Sequence, residues 1–364
     1  MRILVLSTSR RDTAEVSIAS ALSGTHEVET FDYEKGRRIT TRAGFHPVNT
    51  VYHQVLKAFH KPITYLPNRA LLKWVKGKRF DLIIIVTITL VPQDVLEELK
   101  RETGAYVMGW FTDHIVNLDG ADFVSAPYDR VFFKDRIVVD RFRQATASDR
   151  YDFLPQAFDP LLHRPVPERY APPGSQVDVA TFGNSYPFRA MLMGPLIDAG
   201  EIHTVIYGIP SWNVVPKLKA VYRPEVFGLA KSGAMRAAKI ALNTNQFAEL
   251  GGVNKRSFEL GAIGAFHLTD GPRIEEYYEP GVECATFHGP HELLEKVRWY
   301  LGRPEERAEI ARRGLLRAWR DHSYHRRLNQ AFESIPELRS AAILPVPTRP
   351  PEPEEDLPGE GRAP

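Results

Sequence analysis

The sequence predicts an α/β protein built from two parallel, doubly wound sheets. Short apolar runs alternate with segments of helical periodicity along most of the chain, which is the pattern of successive βαβ units. This alternation stops at a proline-rich stretch, residues 163–175, and then restarts. The length of 364 residues fits two domains, because a domain usually contains about 100–200 residues.

The first domain is predicted from its apolar runs. Asp81–Thr87 is a nearly continuous β-branched run, as expected of a strand that is buried on both faces of a sheet. Pro92 opens a helix that continues through Lys100, since proline suits the first helical turn. The other elements predicted for this half are the strands Arg2–Leu6, Val28–Phe31, Ala105–Trp110 and Arg130–Phe133 and the helix Asp12–Leu22.

The second domain repeats the pattern after the proline-rich stretch. Its predicted strands are Val177–Phe182, His203–Tyr207, Lys239–Asn243 and Ala265–Thr269. Its predicted helices are Phe188–Asp198, Arg256–Ala262, His291–Leu301 and Pro304–Arg320. Ligands of open parallel sheets bind at the carboxyl ends of the strands, so the loops that follow strands are expected to carry the function.

Composition and charge exclude several classes of protein. Lys and Arg number 47 against 45 Asp and Glu, which is too balanced for a dedicated nucleic-acid-binding surface. The longest apolar run, Leu82–Val91, is about half of a membrane span and predicts no integral membrane segment. Cys284 is the single cysteine, which excludes an intrachain disulfide and fits a reducing cytoplasm. Residues 341–364 hold seven prolines and five acids and are predicted to be a disordered tail.

Several familiar cofactor and catalytic motifs are absent from the sequence. It has no G-x-G-x-x-G after a strand, no G-x-x-x-x-G-K-[ST] and no G-x-S-x-G, which disfavours dinucleotide enzymes, P-loop enzymes and α/β-hydrolases. It also has no Asp-x-Asp pair, the arrangement with which metal-dependent sugar transferases hold a divalent ion. We therefore expect neither a cofactor nor a metal ion.

The stretch Gly252–Asp270 carries the richest functional pattern, a glycine-containing loop followed by a helix start and a strand. Asn254 suits an N-cap, and Lys255 and Arg256 place cationic donors at a helix N-terminus, where free N–H groups attract anions. Glu259 lies one turn further on, where a carboxylate can accept hydrogen bonds from two vicinal hydroxyls, such as those of a ribose. The alternative is a surface Arg–Glu pair on an amphipathic helix, which contributes little stability.

Two other loops follow predicted strands. In the first, Phe-Gly-Asn-Ser-Tyr-Pro-Phe-Arg, Gly183 and Asn184 follow the strand, where a glycine permits close backbone approach, and Arg189 can reach a phosphate. The alternative is a plain βα turn with a solvated arginine. In the second, Trp-Phe-Thr-Asp-His, Asp113 or His114 can contact a substrate hydroxyl or act as a base. The alternative is a capping aspartate and a half-exposed histidine.

At these residues the sequence resembles the CgeB-type (spore maturation protein) glycosyltransferases. The run from Asn254 to Phe266 is similar to the R-x-F-E-x-x-A-x-G signature of that family. Further segments that resemble the family are residues 81–85, 110–113, 153–160, 182–189, 280–283 and 307–326. The motifs occur in the family's order, and the resemblance covers residues 1–335.

The resemblance implies a GT-B fold, in which two Rossmann-like domains face each other across a cleft and the second domain holds a nucleotide-sugar donor without a metal. The segments expected are an acceptor domain (1–160), a linker (161–176), a donor domain (177–317), a C-terminal crossover helix (318–340) and the tail (341–364). The donor-binding residues implied are Gly183, Asn184, Arg189, Asn254, Lys255, Arg256 and Glu259. Of these, Arg189, Lys255 and Arg256 would face the diphosphate and Glu259 the ribose. The catalytic candidates are Asp113, His114 and Arg256.

One position departs from related GT-B enzymes. Retaining relatives often carry Glu-x7-Glu ending at the residue that matches Glu259, whereas this chain has Gly251 at the first position. Whether the transfer would retain or invert the configuration of the sugar therefore stays open. Two functions are expected. The first is a glycosyltransferase that moves a sugar from a nucleotide diphosphate to a hydroxyl of a glycan, protein or small molecule. The second is a non-catalytic GT-B protein that binds a nucleotide sugar or glycan in envelope or spore-coat assembly. A sugar-nucleotide epimerase, which can use the same fold, is a third hypothesis.

Overall fold

The structure is a computed structural model, and it describes residues 1–7, 12–33, 65–86, 91–113, 122–183, 187–210, 216–247 and 249–352. The chain divides into two compact units. The first unit is formed by Met1–Pro155 together with Leu328–Leu344. The second consists mainly of Gln156–Arg327.

The first unit contains a six-stranded, fully parallel sheet. Its strands are β1 (Arg2–Ser7), β2 (Glu27–Asp32), β3 (Leu82–Val86), β4 (Tyr106–Phe111), β5 (Arg130–Phe133) and β6 (Tyr151–Phe153). Its helices are α1 (Ala14–Ser23), α2 (Tyr65–Val75), α3 (Gln93–Thr103), α4 (Asp122–Ser125) and α5 (Arg136–Thr146). The strand order is β2-β1-β3-β4-β5-β6. Every residue of β3 is buried, which explains its unbroken β-branched sequence.

The second unit contains another six-stranded parallel sheet. Its strands are β7 (Val179–Phe182), β8 (Thr204–Tyr207), β9 (Tyr222–Arg223), β10 (Ile240–Asn243), β11 (His267–Thr269) and β12 (Ala285–Thr286). Its helices are α6 (Pro187–Asp198), α7 (Pro216–Lys219), α8 (Gly228–Ala237), α9 (Lys255–Ala262), α10 (Gly289–Leu301) and α11 (Pro304–Asp321), and α12 (Tyr324–Ser334) follows them. The strand order is β12-β11-β10-β7-β8-β9.

Alternate residues of the second sheet enter two separate apolar cores. Val179 of β7 and Leu242 of β10 belong to one core, while Ala180 and Ala241 belong to the other. Successive strand side chains point to opposite faces, so helices must cover both. The α/β prediction with two parallel sheets is thereby confirmed. Among the described residues, no helix combines the length and apolarity needed to cross a bilayer.

The predicted linker, residues 161–176, is a packed part of the second unit, whose boundary falls at Pro155. His163 and Arg164 are fully buried. Ser232 of α8 donates to the carbonyl of Leu162 at 2.7 Å, and Arg236 donates to that of Val166 at 3.0 Å. Prolines remove N–H donors from this stretch but leave its carbonyls, and α8 satisfies those carbonyls inside the fold.

The helix expected over 318–340 is two helices in the structure. α11 ends at Asp321 and α12 begins at Tyr324. Between them Ser323 forms a parallel β-bridge with Phe158, whose N–H donates to the carbonyl of His322 at 3.1 Å. The chain cannot extend to make this bridge and remain helical at the same residue, which ends the helix.

The start of the predicted disordered tail is ordered through Leu344. Its side chain is 1% exposed. Its backbone N–H and carbonyl both pair with the side-chain amide of Asn329, at 2.9 and 3.0 Å. Disorder predicted from residue 341 is therefore wrong for Leu344, because one apolar side chain and one amide hold the segment to α12. Residues 353–364 lie outside the described part of the chain.

Candidate functional site

The second sheet has a topological switch point between β7 and β10. The chain runs from β7 to β8 and β9 on one side and then returns to build β10 and β11 on the other. Connections on the two sides leave in opposite directions, which opens a crevice at the carboxyl ends of the two central strands. Gly183 directly follows β7, and Thr244 directly follows β10. The predicted donor loops therefore lie at the position where such sheets bind ligands.

Two guanidinium groups converge on the backbone of Gly183. Gly183 has φ +104°, a conformation that favours glycine. A methyl group built on it would lie 2.7 Å from Nη2 of Arg256 and 3.6 Å from Nη1 of Arg189. Arg189 is 4% exposed, and its Nε donates to Oγ1 of Thr244 at 2.8 Å. The structure thus brings three of the predicted donor-binding residues together in one crevice.

Asn254 caps α9 and is itself fixed by Asn243. The Asn254 side chain accepts from the N–H of Ser257. Nδ2 of Asn243 donates to Oδ1 of Asn254 at 3.1 Å, and Nδ2 of Asn254 donates back to Oδ1 of Asn243 at 3.0 Å. Oδ1 of Asn243 also accepts from Nη1 of Arg256 at 3.2 Å. One amide pair therefore sets both the start of α9 and the direction of the Arg256 side chain.

Asn245 ties the ends of β10 and β11 together. Its backbone N–H and its side-chain Nδ2 donate to Oδ1 of Asp270 at 2.7 and 3.1 Å. Its Oδ1 accepts from the N–H of Asn254 at 3.2 Å. Burial raises the pKa of the Asp270 carboxyl above its ordinary value, although the hydrogen bonds from Asn245 oppose that shift. These bonds join the loops of the crevice to one another at the carboxyl ends of the two strands.

The carboxylate of Glu259 projects from α9 into buried surroundings and not into solvent. Its side chain is 2% exposed. Oε1 lies 2.9 Å from Nζ of Lys255 and 3.2 Å from Nε2 of His163, and Oε2 lies 2.8 Å from Nζ of Lys231. The alternative of a solvated Arg–Glu surface pair is wrong, because Arg256 instead contacts Asn243 and the crevice backbone.

His163 has a defined tautomer in this arrangement. The backbone N–H of Asp159 donates to its Nδ1 at 3.0 Å. Nδ1 is therefore the acceptor, and the ring proton of the neutral form sits on Nε2, the nitrogen that faces Glu259.

The remaining predicted site residues are placed differently. Asp113 is exposed just after β4 and belongs to the first unit. His114 and Asn184 lie outside the described residues. The sequence analysis missed Lys231, His163 and two amides of the crevice, Asn243 and Asn245. Lys231 lies in a glycine-containing segment without a helical apolar stripe, and His163 lies in the proline-rich stretch interpreted as a linker, so no local pattern marks either residue.

The arrangement is suited to hold a charged, extended anion. Arginine guanidinium groups form strong hydrogen bonds with phosphate oxygens. The first turn of α9 adds N–H groups and a positive dipole end beside them. Such fixed donors stabilise negative charge that develops on a leaving group without any need for reorganisation.

The chain is similar to known proteins in part of its sequence and in its fold. Residues 189–333 match the family model described as glycosyl transferase-like. None of the curated proteins compared with this chain matches it. HepE from Anabaena, solved with UDP and glucose, has a TM-score of 0.60 at 14% identity, covering 92% of this chain and 99% of that one. Sucrose-phosphate synthase from Thermosynechococcus elongatus has a TM-score of 0.59 at 10% identity, covering 94% of this chain and 100% of that one.

A glycosyltransferase from Rickettsia africae is also similar, with a TM-score of 0.55 at 10% identity, covering 94% of this chain and 99% of that one. Likeness at such low identity shows the fold alone. That fold is GT-B, with two Rossmann-like domains, as the sequence resemblance implied. The CgeB type is not distinguished by these comparisons.

Proposed function

We propose that this protein is a glycosyltransferase that moves a sugar from a nucleoside-diphosphate-sugar donor to an acceptor hydroxyl, without a metal ion. The observation that carries the proposal is the convergence of Arg189 and Arg256 on Gly183 at the switch point of the second sheet. The match of residues 189–333 to a glycosyl transferase-like family model supports it. So does the presence of UDP-glucose in a solved structure of HepE, which has the same fold.

The proposed roles follow from position. Arg189, Lys255 and Arg256 neutralise the donor diphosphate, and Gly183 lets it approach the backbone. As the sugar departs, negative charge grows on the diphosphate, and the fixed cations stabilise that charge more strongly than the ground state. Asp113 is our candidate for the base that takes the acceptor proton, with His114 as its alternative. We propose a reducing cytoplasm as the compartment, because the sequence contains a single cysteine.

A panel of UDP-, GDP-, dTDP- and CDP-sugars tests the donor class. Binding to the folded state raises the melting temperature by mass action, by an amount that depends on ligand concentration relative to Kd. We expect one base to raise the midpoint clearly above the other three. The acceptor, whether glycan, protein or small molecule, is then sought with that donor. No shift with any of the four classes would contradict the proposal.

Arg256→Ala tests the catalytic part. Because charge on the diphosphate increases in the transition state, we expect kcat to fall more than donor affinity. Arg298→Ala is the matched control, since Arg298 is an exposed arginine of the same unit that pairs with Glu201. A loss of donor affinity with kcat unchanged would assign Arg256 to uniform binding only.

Metal independence is tested with EDTA. The missing Asp-x-Asp pair motivates this expectation, and the cations of the crevice would supply the charge that a metal supplies elsewhere. Turnover should be unchanged after chelation. Loss of turnover that Mn²⁺ or Mg²⁺ restores would refute this part of the proposal.

The second candidate is a non-catalytic GT-B protein that binds a nucleotide sugar or glycan in envelope or spore-coat assembly. Gly251 favours it, because this position carries a carboxylate near the donor sugar in many retaining relatives. Slow hydrolysis of the donor without acceptor separates the two candidates. A transferase hydrolyses its donor at a measurable rate, whereas a binding protein leaves it intact.

A further inference from the structure

The carboxylate of Asp270 lies at the carboxyl end of β11 and is anchored through one of its oxygens. The backbone N–H and Nδ2 of Asn245 both donate to Oδ1 of Asp270, at 2.7 and 3.1 Å. Asn245 is itself held, because its Nδ2 lies 3.3 Å from Oγ1 of Thr269 and its Oδ1 accepts from the N–H of Asn254 at 3.2 Å. These contacts fix the position of the Asp270 carboxylate.

The second oxygen of this carboxylate, Oδ2, is not used by the anchor. In the part of the chain that the structure describes, no donor of another residue lies within hydrogen-bond distance of Oδ2, and no cation forms an ion pair with Asp270. Asp270 is nevertheless partly buried. An ionised carboxylate only accepts hydrogen bonds, so a ligand that satisfies Oδ2 must bring a hydroxyl or N–H group.

Asp270 borders the crevice at the switch point of the second sheet. Asn245, which anchors it, follows Thr244, whose Oγ1 accepts from Nε of Arg189 at 2.8 Å. Burial raises the pKa of the Asp270 carboxyl, and the positive charge of Arg189 is among the causes that oppose this shift. The two groups therefore lie within electrostatic range of each other. Because Arg189 also lies at the backbone of Gly183, an anion bound there would have Asp270 close by.

Asp270 lies towards the start of α9, whereas Glu259 lies further along the helix. A methyl group built on Gly271 would lie 3.4 Å from Cγ1 of Val253, so the loop after β11 packs beside the residue that precedes the cap, Asn254. Glu259 is five residues beyond that cap, a rise of about 7.5 Å along the helix. With the ribose at Glu259, as expected from the sequence, and the diphosphate at the first turn of α9, the sugar is directed towards Asp270.

We infer that Asp270 is a sugar-binding residue of the donor site, whose Oδ2 accepts a hydrogen bond from a hydroxyl of the donor sugar. This inference rests on the proposed function, because the ligand is the nucleoside-diphosphate sugar of the proposed transfer. An ionised diphosphate offers no hydrogen-bond donor and is repelled by a carboxylate, so Oδ2 can bind the sugar and not the diphosphate. The donor selected is one whose sugar carries a free hydroxyl group at this position.

Asp270→Asn tests the inference, because it keeps the anchor and replaces only the second oxygen. The amide oxygen can accept both hydrogen bonds from Asn245, while an NH2 group stands in the place of Oδ2. The probes are UDP-glucose, GDP-mannose, dTDP-glucose and CDP-glucose, each measured by calorimetry beside its nucleoside diphosphate. For the nucleotide sugar that the wild-type protein prefers, we expect Kd to rise about tenfold or more, the scale for a hydrogen bond to a charged group. Kd for its nucleoside diphosphate should stay unchanged or fall, because a nearby negative charge is removed.

Asp198→Asn is the matched control, since Asp198 is an exposed aspartate of the same unit that pairs with Lys217. It should leave both Kd values unchanged. If Asp270→Asn weakens the nucleoside diphosphate by the same factor as the nucleotide sugar or more, Asp270 only holds the loops in place, and the inference is overturned. Unchanged Kd values for both probes would also overturn it. Circular dichroism and melting curves establish folding, and Asp270→Ser, whose hydroxyl can accept from the N–H of Asn245, replaces the asparagine variant if that variant unfolds.

The wild-type protein separates this inference from the proposed function. If it binds a nucleotide sugar but neither transfers nor hydrolyses the sugar, the transferase is refuted, and the Kd values of Asp270→Asn still decide the role of Asp270. If it binds none of the four nucleotide sugars and none of their diphosphates, both are overturned.

Discussion

Gly183→Ala tests whether the backbone after β7 must stay clear of the two guanidinium groups. At φ +104° an alanine is strained by about 1–2 kcal/mol. Its methyl group would lie 2.7 Å from Nη2 of Arg256, so that guanidinium group must move. A hydrogen bond from a charged group contributes about 1.5–3 kcal/mol. If the displaced Arg256 guanidinium group no longer donates to the diphosphate, the donor Kd should rise by about 10- to 150-fold.

Gly200→Ala is the matched control for this experiment. Gly200 has φ +75°, and a methyl group there meets nothing within 4 Å. Both variants carry backbone strain, and both should melt a few degrees lower, because 1 kcal/mol corresponds to about 2–4 °C in domains of 150–250 residues. Calorimetric titration with the preferred donor should show weaker binding in Gly183→Ala alone. Equal donor affinity in the two variants would refute the reasoning.

Two further predictions concern stability. Gly261→Ala should lower the melting temperature, because its methyl group would lie 2.5 Å from the hydroxyl of Tyr278. Gly194→Ala in α6 meets nothing within 4 Å and should stabilise the protein by about 0.5–1 kcal/mol. Differential scanning calorimetry compares the two variants. Burial and the charge of Arg256 lower the pKa of His267 from 6.5 to about 3. As pH falls, the unfolded chain therefore binds the proton before the folded protein does. The free energy of unfolding should fall by about 1.4 kcal/mol per pH unit as pH drops from 6.5 towards 3. Denaturant titrations at several pH values should show a shallower pH slope for His267→Gln than for the wild-type protein. An unchanged slope in His267→Gln would contradict the assignment.

The strands were predictable because their signal is local. Leu82–Val86 lies within the predicted run of Asp81–Thr87, and Arg130–Phe133 matches its prediction at both ends. A strand buried on both faces must be apolar at every position, and that requirement is visible in the residues themselves. Pro92 likewise precedes a helix, as its fixed φ and missing N–H predict.

Helix α8 was not predicted, for a reason that lies elsewhere in the chain. Its sequence, Gly-Leu-Ala-Lys-Ser-Gly-Ala-Met-Arg-Ala, contains two glycines, which weaken a helix, and shows no helical apolar stripe. A methyl group on Gly233 would lie 2.6 Å from the backbone nitrogen of Ala171. The glycine that weakens the helix locally is therefore the residue that lets it contact a neighbouring segment, and this advantage exists only in the folded protein.

The sequence by itself determined the parallel α/β class, the cap at Asn254 and the cations that follow it. These features depend on neighbouring residues, either through the two-residue period of strands or through the first turn of a helix. Only the tertiary structure decided two of the partners of Glu259, since Lys231 and His163 come from segments distant in sequence. The four-residue spacing of Lys255 and Glu259 is visible within α9. A buried carboxylate must find its other cations or donors wherever the fold places them, and no spacing within α9 could indicate Lys231 or His163.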